Sequence, residues 1–179
     1  SDTLTKIWEQ HYGGTSNDNL VEIVRDKNGC GGYLLAGRTV STDTVNDISD
    51  TTRGQTDYWL IKVDCDGNKL WNKRFGGNNG DELTSVFQTR DGGYILAGTS
   101  GSDSTSEKTD SSRWNTEDYW VIRIDPNGVI LWDKTYGGSE RDELKCVIET
   151  SDGSLLIGGN SNSPANGDKS VNRLFGTSS

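Results

Sequence analysis

Short apolar runs bounded by turn residues recur along the chain and predict β-strands. Residues 94–97 form a nearly continuous apolar run, as expected for a strand covered on both faces. Residues 119–124 are rich in aromatic and β-branched side chains, and residues 130–136 alternate so that Trp132, Lys134 and Tyr136 share one side. Turn tetrapeptides with glycine or proline, at residues 90–93 and 125–128, border these runs. No segment has helical periodicity, so the sequence predicts an all-β protein.

These runs belong to a unit that repeats after 63 and then after 61 residues. Each copy carries a tryptophan, an aromatic residue and a glycine pair, then an aspartate, an apolar run that ends in glycine, and in two copies Asp-Tyr-Trp. The tryptophans are Trp8, Trp71 and Trp132, and the aspartates are Asp18, Asp81 and Asp142. Fixed-period similarity is typical of folds in which each unit buries its apolar faces against its neighbours.

Four strands per repeat, with short first and third turns and longer second and fourth connections, are typical of a β-propeller blade. A β-solenoid coil would be shorter, and a sandwich would not repeat with this fidelity. We predict a partial propeller over residues 1–179, with the last strand of a preceding blade at 5–12, complete blades at 18–75 and 81–136, and the first hairpin of a further blade at 142–160. Trp71 and Trp132 should occupy equivalent, buried positions.

This count gives an incomplete ring of under three blades, whereas propellers generally need about four blades to close. The preferred explanation is that the chain is a piece of a longer polypeptide. The alternative is that two copies pool their blades, with the strand of Trp8 completing the last blade of the partner. Other blades, in a longer chain or in a second copy, are therefore the first partners we expect.

The motifs aromatic-Gly-Gly, Asp-Gly-Gly-Tyr-Ile-Leu-Ala-Gly, Asp-Tyr-Trp and Asp-Pro-Asn-Gly resemble one known family of repeats. They are similar to the delta-sixty type of β-propeller repeat, which is found in secreted and cell-surface proteins of Bacteroidota. The resemblance covers nearly the whole chain. It implies the propeller fold and an extracellular or cell-surface location, and it is almost silent on activity.

Composition agrees with an exported protein and excludes some partners. The net charge of −9 and the pI near 4.6 argue against nucleic-acid and anionic-membrane binding. No stretch is apolar and long enough for membrane insertion. The chain has no methionine and no basic, apolar N-terminal segment. We therefore expect that any secretion signal is removed or lies outside this sequence.

Two cysteines lie in turns of the same repeat. Cys30 is in the first hairpin turn and Cys65 is in the third, and in an up-and-down blade these turns lie at the same end of the sheet. We predict that they are joined by a disulfide, and the alternative is two unrelated free thiols. Cys146, between Leu144 and Val147, is expected to be an inert side chain in a packed region.

Segments 38–56 and 99–117, and the tail from residue 160 to 169, are rich in Ser, Thr, Asp and Gly and predict surface loops. They and the N-terminus contain Asp-Ser/Thr triplets like the short O-glycosylation sequon of the same phylum. The candidate glycosylation sites are Thr3, Thr44, Thr51 and Ser104. Chance could produce the same triplets in a chain of this composition.

Residues that could carry catalysis are scarce. The chain has one histidine, His11, so it cannot form a His-based triad or a multi-histidine metal site. Residues 64–67 and 125–128 begin like a calcium loop but lack its later ligands, so we interpret them as turns. Pairs such as Asp81-Glu82 resemble the carboxylates of a glycosidase, but they recur in each repeat. We predict no catalytic residue, no metal site and no cofactor.

Three aspartates and one exposed aromatic residue remain as candidates. Because Asp18, Asp81 and Asp142 recur after each glycine pair, we assign them a structural role in turns. Trp114, beside Arg113 in a hydrophilic loop, is the candidate ligand-binding pair. The long loops and the Gly-Gly-Asp turns should share one rim of the propeller, with the cysteine turns at the opposite end.

Two functions follow from this interpretation. The preferred one is a non-catalytic propeller module of a secreted or surface-attached bacterial protein that binds a protein or glycan, or acts as a spacer. The alternative is a glycan-directed enzyme whose catalytic residues lie outside this chain.

Overall fold

The computed structural model describes residues 5–27, 30–41, 53–105 and 107–171. Ten strands follow in chain order: β1 (Asp18–Arg25), β2 (Tyr33–Thr39), β3 (Asp57–Val63), β4 (Lys69–Phe75), β5 (Asp81–Gln88), β6 (Tyr94–Ser100), β7 (Asp118–Ile124), β8 (Ile130–Tyr136), β9 (Asp142–Glu149) and β10 (Leu155–Ser161). Within these ranges the only helical element is one 3₁₀ turn at Arg113–Asn115. The prediction of an all-β protein is confirmed.

The strands form three antiparallel sheets whose order in space is their order in the chain. Blade 1 contains β1 to β4, blade 2 contains β5 to β8, and the C-terminal hairpin contains β9 and β10. Sequential four-stranded sheets of this kind are propeller blades. The three sheets do not close on themselves, so the protein is an incomplete set of β-propeller blades. This confirms the predicted fold.

The fourth strand predicted at residues 5–12 is not formed. A fourth strand pairs with the third strand of its own sheet, and the described residues before β1 contain no such strand. The segment still lies where a preceding blade would place it. The indole N–H of Trp8 donates to the Cys65 carbonyl (3.2 Å), and the Tyr12 hydroxyl donates to the Gly67 carbonyl. The Trp8 ring contacts Gly67 much as the Trp71 ring of β4 contacts Gly128 in blade 2.

Blades 1 and 2 are held together by the burial of two apolar faces. On blade 1 the contact is made by Leu34, Ala36, Tyr58 and Leu60, and on blade 2 by Leu83, Val86, Tyr94, Leu96, Trp120 and Ile122. The Tyr58 and Trp120 rings pack with centroids 5.0 Å apart. Because successive residues of a strand face opposite sides of its sheet, these residues alternate along their strands.

Strand β6 is buried along its whole length, because its other face packs on the C-terminal hairpin. There Ile95, Ala97 and Val121 contact Leu144 and Val147. This two-sided burial explains the continuous apolar run in the sequence. Trp132, by contrast, is 39 % exposed. Its equivalent Trp71 packs on Gly128 in the third turn of the next sheet, and the two-stranded hairpin has no such turn within the described residues. The expectation that Trp132 is buried was therefore wrong, and its equivalent Trp71 is only partly buried.

The glycine that ends each apolar run is required by a bulge in the first strand of the sheet. The register of β5 against β6 shifts between Leu83 and Ser85, which leaves Thr84 as the extra residue. This bulge brings the Glu82 carbonyl so close that a Cβ on Gly98 would lie 2.0 Å from it. In the other two sheets Gly37 lies against the Asn19 carbonyl and Gly159 against the Glu143 carbonyl in the same way.

The turns at residues 64–67 and 125–128 are closed by their own aspartates. Asp125 Oδ1 accepts the backbone N–H groups of Asn127 and Val129, both at 2.8 Å. Asp64 Oδ1 accepts those of Asp66 and Asn68 in the same way. The interpretation of these segments as turns is confirmed.

Candidate functional site

Each glycine pair is held in place by the aspartate that begins the next sheet. The second glycine of the pair donates its backbone N–H to a carboxylate oxygen. These bonds join Gly14 to Asp18 (2.7 Å), Gly77 to Asp81 (2.8 Å) and Gly138 to Asp142 (2.7 Å). The structure thus places all three aspartates in the turns to which we assigned them. Each carboxylate, by accepting the glycine N–H, stabilises the turn that connects one sheet to the next.

A serine that sequence reasoning missed completes this junction. The Ser102 hydroxyl donates to Asp81 Oδ2 (2.9 Å) and accepts the backbone N–H of Asn79 (2.9 Å). Ser163 bonds to Asp142 in the same way at 2.9 Å, and Ser41 approaches Asp18 at 3.5 Å. Each serine lies just after the second strand of its sheet, 23 or 21 residues after the aspartate. That recurrence was the signal in the sequence.

A second buried aspartate lies against the glycine pairs that end the two complete blades, Asp57 against Gly76 and Asp118 against Gly137. A Cβ on Gly137 would lie 2.1 Å from Asp118 Oδ1 and 2.9 Å from Asp142 Oδ2, so this glycine separates two carboxylates. Burial raises the pKa of Asp118 to about 6, and the charge of Asp142 adds to the shift. Burial likewise raises the pKa of Asp81 to about 6, against the hydrogen bonds from Ser100, Gly77 and Ser102. The junctions therefore hold carboxylates that are costly to ionise.

These junctions gather the loops at one rim of the sheets, which we call the loop rim. The Asp81 N–H donates to the Thr56 carbonyl (2.7 Å), so the end of the long loop of blade 1 lies beside the link to blade 2. Asp142 and Glu117 are joined in the same way at 2.7 Å in the next junction. The predicted common rim is confirmed for the described residues. Most of the loop of blade 1, residues 42–52, lies outside them.

A polar cleft of about 560 Å³ lies at the loop rim where the three sheets meet. We call it the rim cleft. Its lining is made of amide, hydroxyl, carboxylate and guanidinium groups, including those of Gln55, Asn79, Glu82, Thr116, Glu117 and Arg141. Glu82 is paired with Arg38 at 2.8 Å, and Glu117 is paired with Arg141. Glu140 adds a third carboxylate to the lining, so the cleft offers many hydrogen-bonding groups and carries a net negative charge.

Trp114 lies on the loop rim next to this cleft. Its side chain is 60 % exposed, and the residues that follow it, Asn115 and Thr116, line the cleft. Trp114 and Asn115 both have left-handed backbone, with φ of 50° and 61°, which is uncommon for residues other than glycine. The indole edge approaches Gly167, where a Cβ would lie 3.1 Å from Trp114 Cζ3. The ring is therefore fixed beside a neighbouring loop and still presents a face to solvent.

Arg113 secures the loop that carries Trp114. Its guanidinium group lies 3.4 Å from an Asp168 carboxylate oxygen, and its backbone N–H donates to Asp118. The Thr116 hydroxyl donates to the Arg113 carbonyl at 2.8 Å. Of the predicted ligand-binding pair, Trp114 is thus the residue open to a ligand, and Arg113 holds its position.

Cys30 and Cys65 are free thiols in the structure, so the predicted disulfide is not formed. The two side chains are nevertheless hydrogen-bond neighbours. A hydrogen bond from Cys65 lowers the pKa of the Cys30 thiol, and the same contact raises the pKa of Cys65. Cys146 is exposed instead of packed, because the face of the hairpin on which it lies has no described sheet over it.

Of the candidate glycosylation sites, Ser104 is exposed at the loop rim, where its backbone N–H donates to the Ser111 hydroxyl at 2.9 Å. Thr3, Thr44 and Thr51 lie outside the described residues. Within the described part of the chain, no cluster of three or more His, Cys, Asp or Glu side chains could hold a metal ion. The same residues include no helix long and apolar enough to cross a membrane.

Comparisons with known proteins give limited similarity. No protein-family model matches the chain. The regulatory protein FlaEY of Caulobacter vibrioides (strain ATCC 19089 / CIP 103742 / CB 15) is 29 % identical over 138 residues. That alignment covers 73 % of this chain and 14 % of the FlaEY sequence, so the chain spans only a small part of this relative.

Among solved structures, the chain is similar to a protein of unknown function from Bacteroides caccae, solved by crystallography at 1.35 Å. The TM-score is 0.45 at 13 % sequence identity, and the match covers 78 % of this chain and 38 % of the other.

Proposed function

We propose that this protein is a non-catalytic β-propeller module that binds a ligand at its loop rim, and that the ligand is a glycan. The observation that carries the proposal is the rim cleft with Trp114 beside it. Loops placed by a rigid sheet scaffold are where binding sites are most often found. Here the long loops of blades 1 and 2 and the links between successive sheets contribute to one concave surface.

The chemistry of the lining favours a sugar. Sugar hydroxyls both donate and accept hydrogen bonds, and side chains such as Asn79, Gln55 and Glu117 can meet them in either sense. An exposed indole can cover the apolar face of a sugar ring, and Trp114 is held at the edge of the cleft with a face open to solvent. A protein ligand or a spacer role would not need a cleft with this lining.

Two features argue against a glycosidase. The cleft has three carboxylates, and those of Glu82 and Glu117 are each paired with an arginine, which leaves Glu140. A glycosidase needs a pair of carboxyl groups, one of them a general acid in a setting that raises its pKa. The carboxylates whose pKa values are raised, Asp81 and Asp118, are buried in the junction turns. Their hydrogen bonds stabilise the turns between successive sheets, as do those of the equivalent aspartates in the other repeats.

Replacement of Trp114 by alanine should weaken glycan binding about three- to tenfold. An aromatic contact contributes about 0.5–1.5 kcal/mol, and about 1.4 kcal/mol corresponds to a factor of ten in affinity. The protein would be screened on an array of bacterial and host polysaccharides, and the best ligand titrated by calorimetry. The same samples would be analysed for released sugars. Trp114→Phe should keep most of the affinity, because it keeps an aromatic face.

Trp132→Ala is the matched control, since this tryptophan is also half-exposed but lies near the opposite end of blade 2. It should bind like the unchanged protein. The glycan site would be refuted if the unchanged protein bound no polysaccharide on the array. It would also be refuted if the two alanine variants lost the same amount of affinity. Release of sugars would instead support the enzyme alternative.

We further propose that the protein is exported, and that Cys30 and Cys65 become joined in an oxidising compartment. The neighbouring thiols and the resemblance of the repeats to those of secreted and surface proteins support this proposal. Mass spectrometry of the protein from its native host should show a loss of two hydrogens that reductant restores, and a glycan on Ser104. Three thiols that alkylate without reduction would contradict the disulfide, and an unmodified peptide would contradict the glycan.

A further inference from the structure

Blade 1 exposes apolar residues on the face whose equivalent in blade 2 is buried against blade 1. In blade 2 the positions Leu83 and Val86 are each 2 % exposed, because blade 1 covers them. Their equivalents one repeat earlier are Leu20, which is 61 % exposed, and Ile23, which is 55 % exposed. Together with Leu35 they border an open groove of about 280 Å³, whose other side is lined by Trp8 and Tyr12 of the N-terminal segment. We call this surface the front face of blade 1.

The C-terminal hairpin exposes the complementary surface. In blade 2 the cross-strand pair Phe87 and Ile95 packs on Leu144 and Val147 of the hairpin. The equivalent pair in the hairpin is Ile148, 55 % exposed, and Leu156, 60 % exposed. We call this surface the outer face of the hairpin. The described part of the chain thus carries both halves of an inter-blade contact, one at each end. The N-terminal segment covers Trp59 and Ile61 of the front face through Tyr12, and Leu20 and Ile23 stay exposed.

We propose that two copies of this chain associate head to tail, the outer face of the hairpin in one copy packing on the front face of blade 1 in the other. The contact between blade 2 and the hairpin is the template for this interface. In the template, Phe87 and Ile95 of blade 2 pack on Leu144 and Val147 of the hairpin. Leu20 and Ile23 occupy the positions of Leu144 and Val147 in the repeat. Ile148 and Leu156 of the other copy, which occupy the positions of Phe87 and Ile95, would therefore pack on them. A second copy fits because it supplies the same repeat with the same register of apolar positions.

A head-to-tail contact uses two different surfaces and closes into a ring only if the rotation allows it. Two copies contain six sheets, and closed propellers commonly have about four to eight blades. Closure of a pair through two such interfaces is therefore compatible with known propeller sizes. It would also remove the exposed apolar surface from both ends of each copy.

Light scattering coupled to gel filtration tests this proposal on the whole chain. The unchanged protein should have twice the mass of a single chain over a wide range of concentration. A front-face variant, Leu20→Asp with Ile23→Asp, and an outer-face variant, Ile148→Asp with Leu156→Asp, should not form this closed pair. Each variant alone should elute as a single chain, and a mixture of the two should regain the mass of a pair, because one intact interface remains between them.

Circular dichroism would check that each variant is folded, and serine at the same positions would replace any aspartate variant that is not. A single-chain mass for the unchanged protein at every concentration would overturn the proposal. A pair formed by the outer-face variant alone would also overturn it, because it would show that two front faces pack on each other. A mixture of the two variants that keeps the mass of a single chain would overturn it as well.

Discussion

Replacing Trp120 by alanine should lower the free energy of unfolding by about 3–5 kcal/mol, the usual cost of removing a buried aromatic side chain. Trp120 is fully buried at the contact between the two complete blades, where its ring packs on Tyr58. Its indole N–H donates to Asp133 Oδ2 at 3.0 Å, so the change also leaves a buried carboxylate oxygen without this donor. Urea denaturation followed by far-ultraviolet circular dichroism would measure the loss.

Trp114→Ala is the matched control, because that side chain is 60 % exposed at the loop rim. It should change the free energy of unfolding by no more than about 0.5 kcal/mol, as is usual for surface positions. If Trp120→Ala were as mild as Trp114→Ala, the contact between the blades would not be a main source of stability.

Replacing Gly98 by alanine should destabilise the protein by about 3 kcal/mol, the upper part of the usual range for overpacking a closely packed site. A Cβ at this position would lie 2.0 Å from the Glu82 carbonyl oxygen and 2.6 Å from the Tyr58 hydroxyl. The first of these atoms belongs to the backbone at the bulge of β5, so it cannot move aside without breaking the pairing of β5 with β6. Thermal and urea unfolding would both report the loss.

Gly80→Ala provides the control within the same junction, since a Cβ there would meet no atom within 4 Å. This variant should be within about 0.5 kcal/mol of the unchanged protein. Equal stability of the Gly98 and Gly80 variants would show that the first-strand bulge does not need glycine opposite it.

Local patterns in the sequence were enough to predict the strands and the sheets. The run at residues 94–97 and the Asp-Tyr-Trp segments lie in strands that are buried by neighbouring blades, so their apolar character reports that burial directly. The glycine of the Ala-Gly pair had no explanation in the sequence. It became clear only when the bulge placed the Glu82 carbonyl against it.

What could not be predicted depends on contacts between sheets. Residues 5–12 have the pattern of a fourth strand but no third strand in the described chain to pair with. Cys146 and Trp132 have the neighbours of packed residues, yet the surface that would cover them belongs to another blade. The rim cleft is assembled from five segments distant in sequence, and its residue types are those of any polar loop.

Burial between adjacent blades holds the protein together and positions the loop rim. Amide hydrogen exchange followed by mass spectrometry tests this on the two variants that should stay single chains. The outer-face variant would be used to compare β1 with β6, and the front-face variant to compare β10 with β6. Strand β6, buried on both faces, should exchange most slowly, and β1 and β10, each with one uncovered face, should exchange much faster. Equal protection of β1, β6 and β10, or the strongest protection in β1, would contradict the claim.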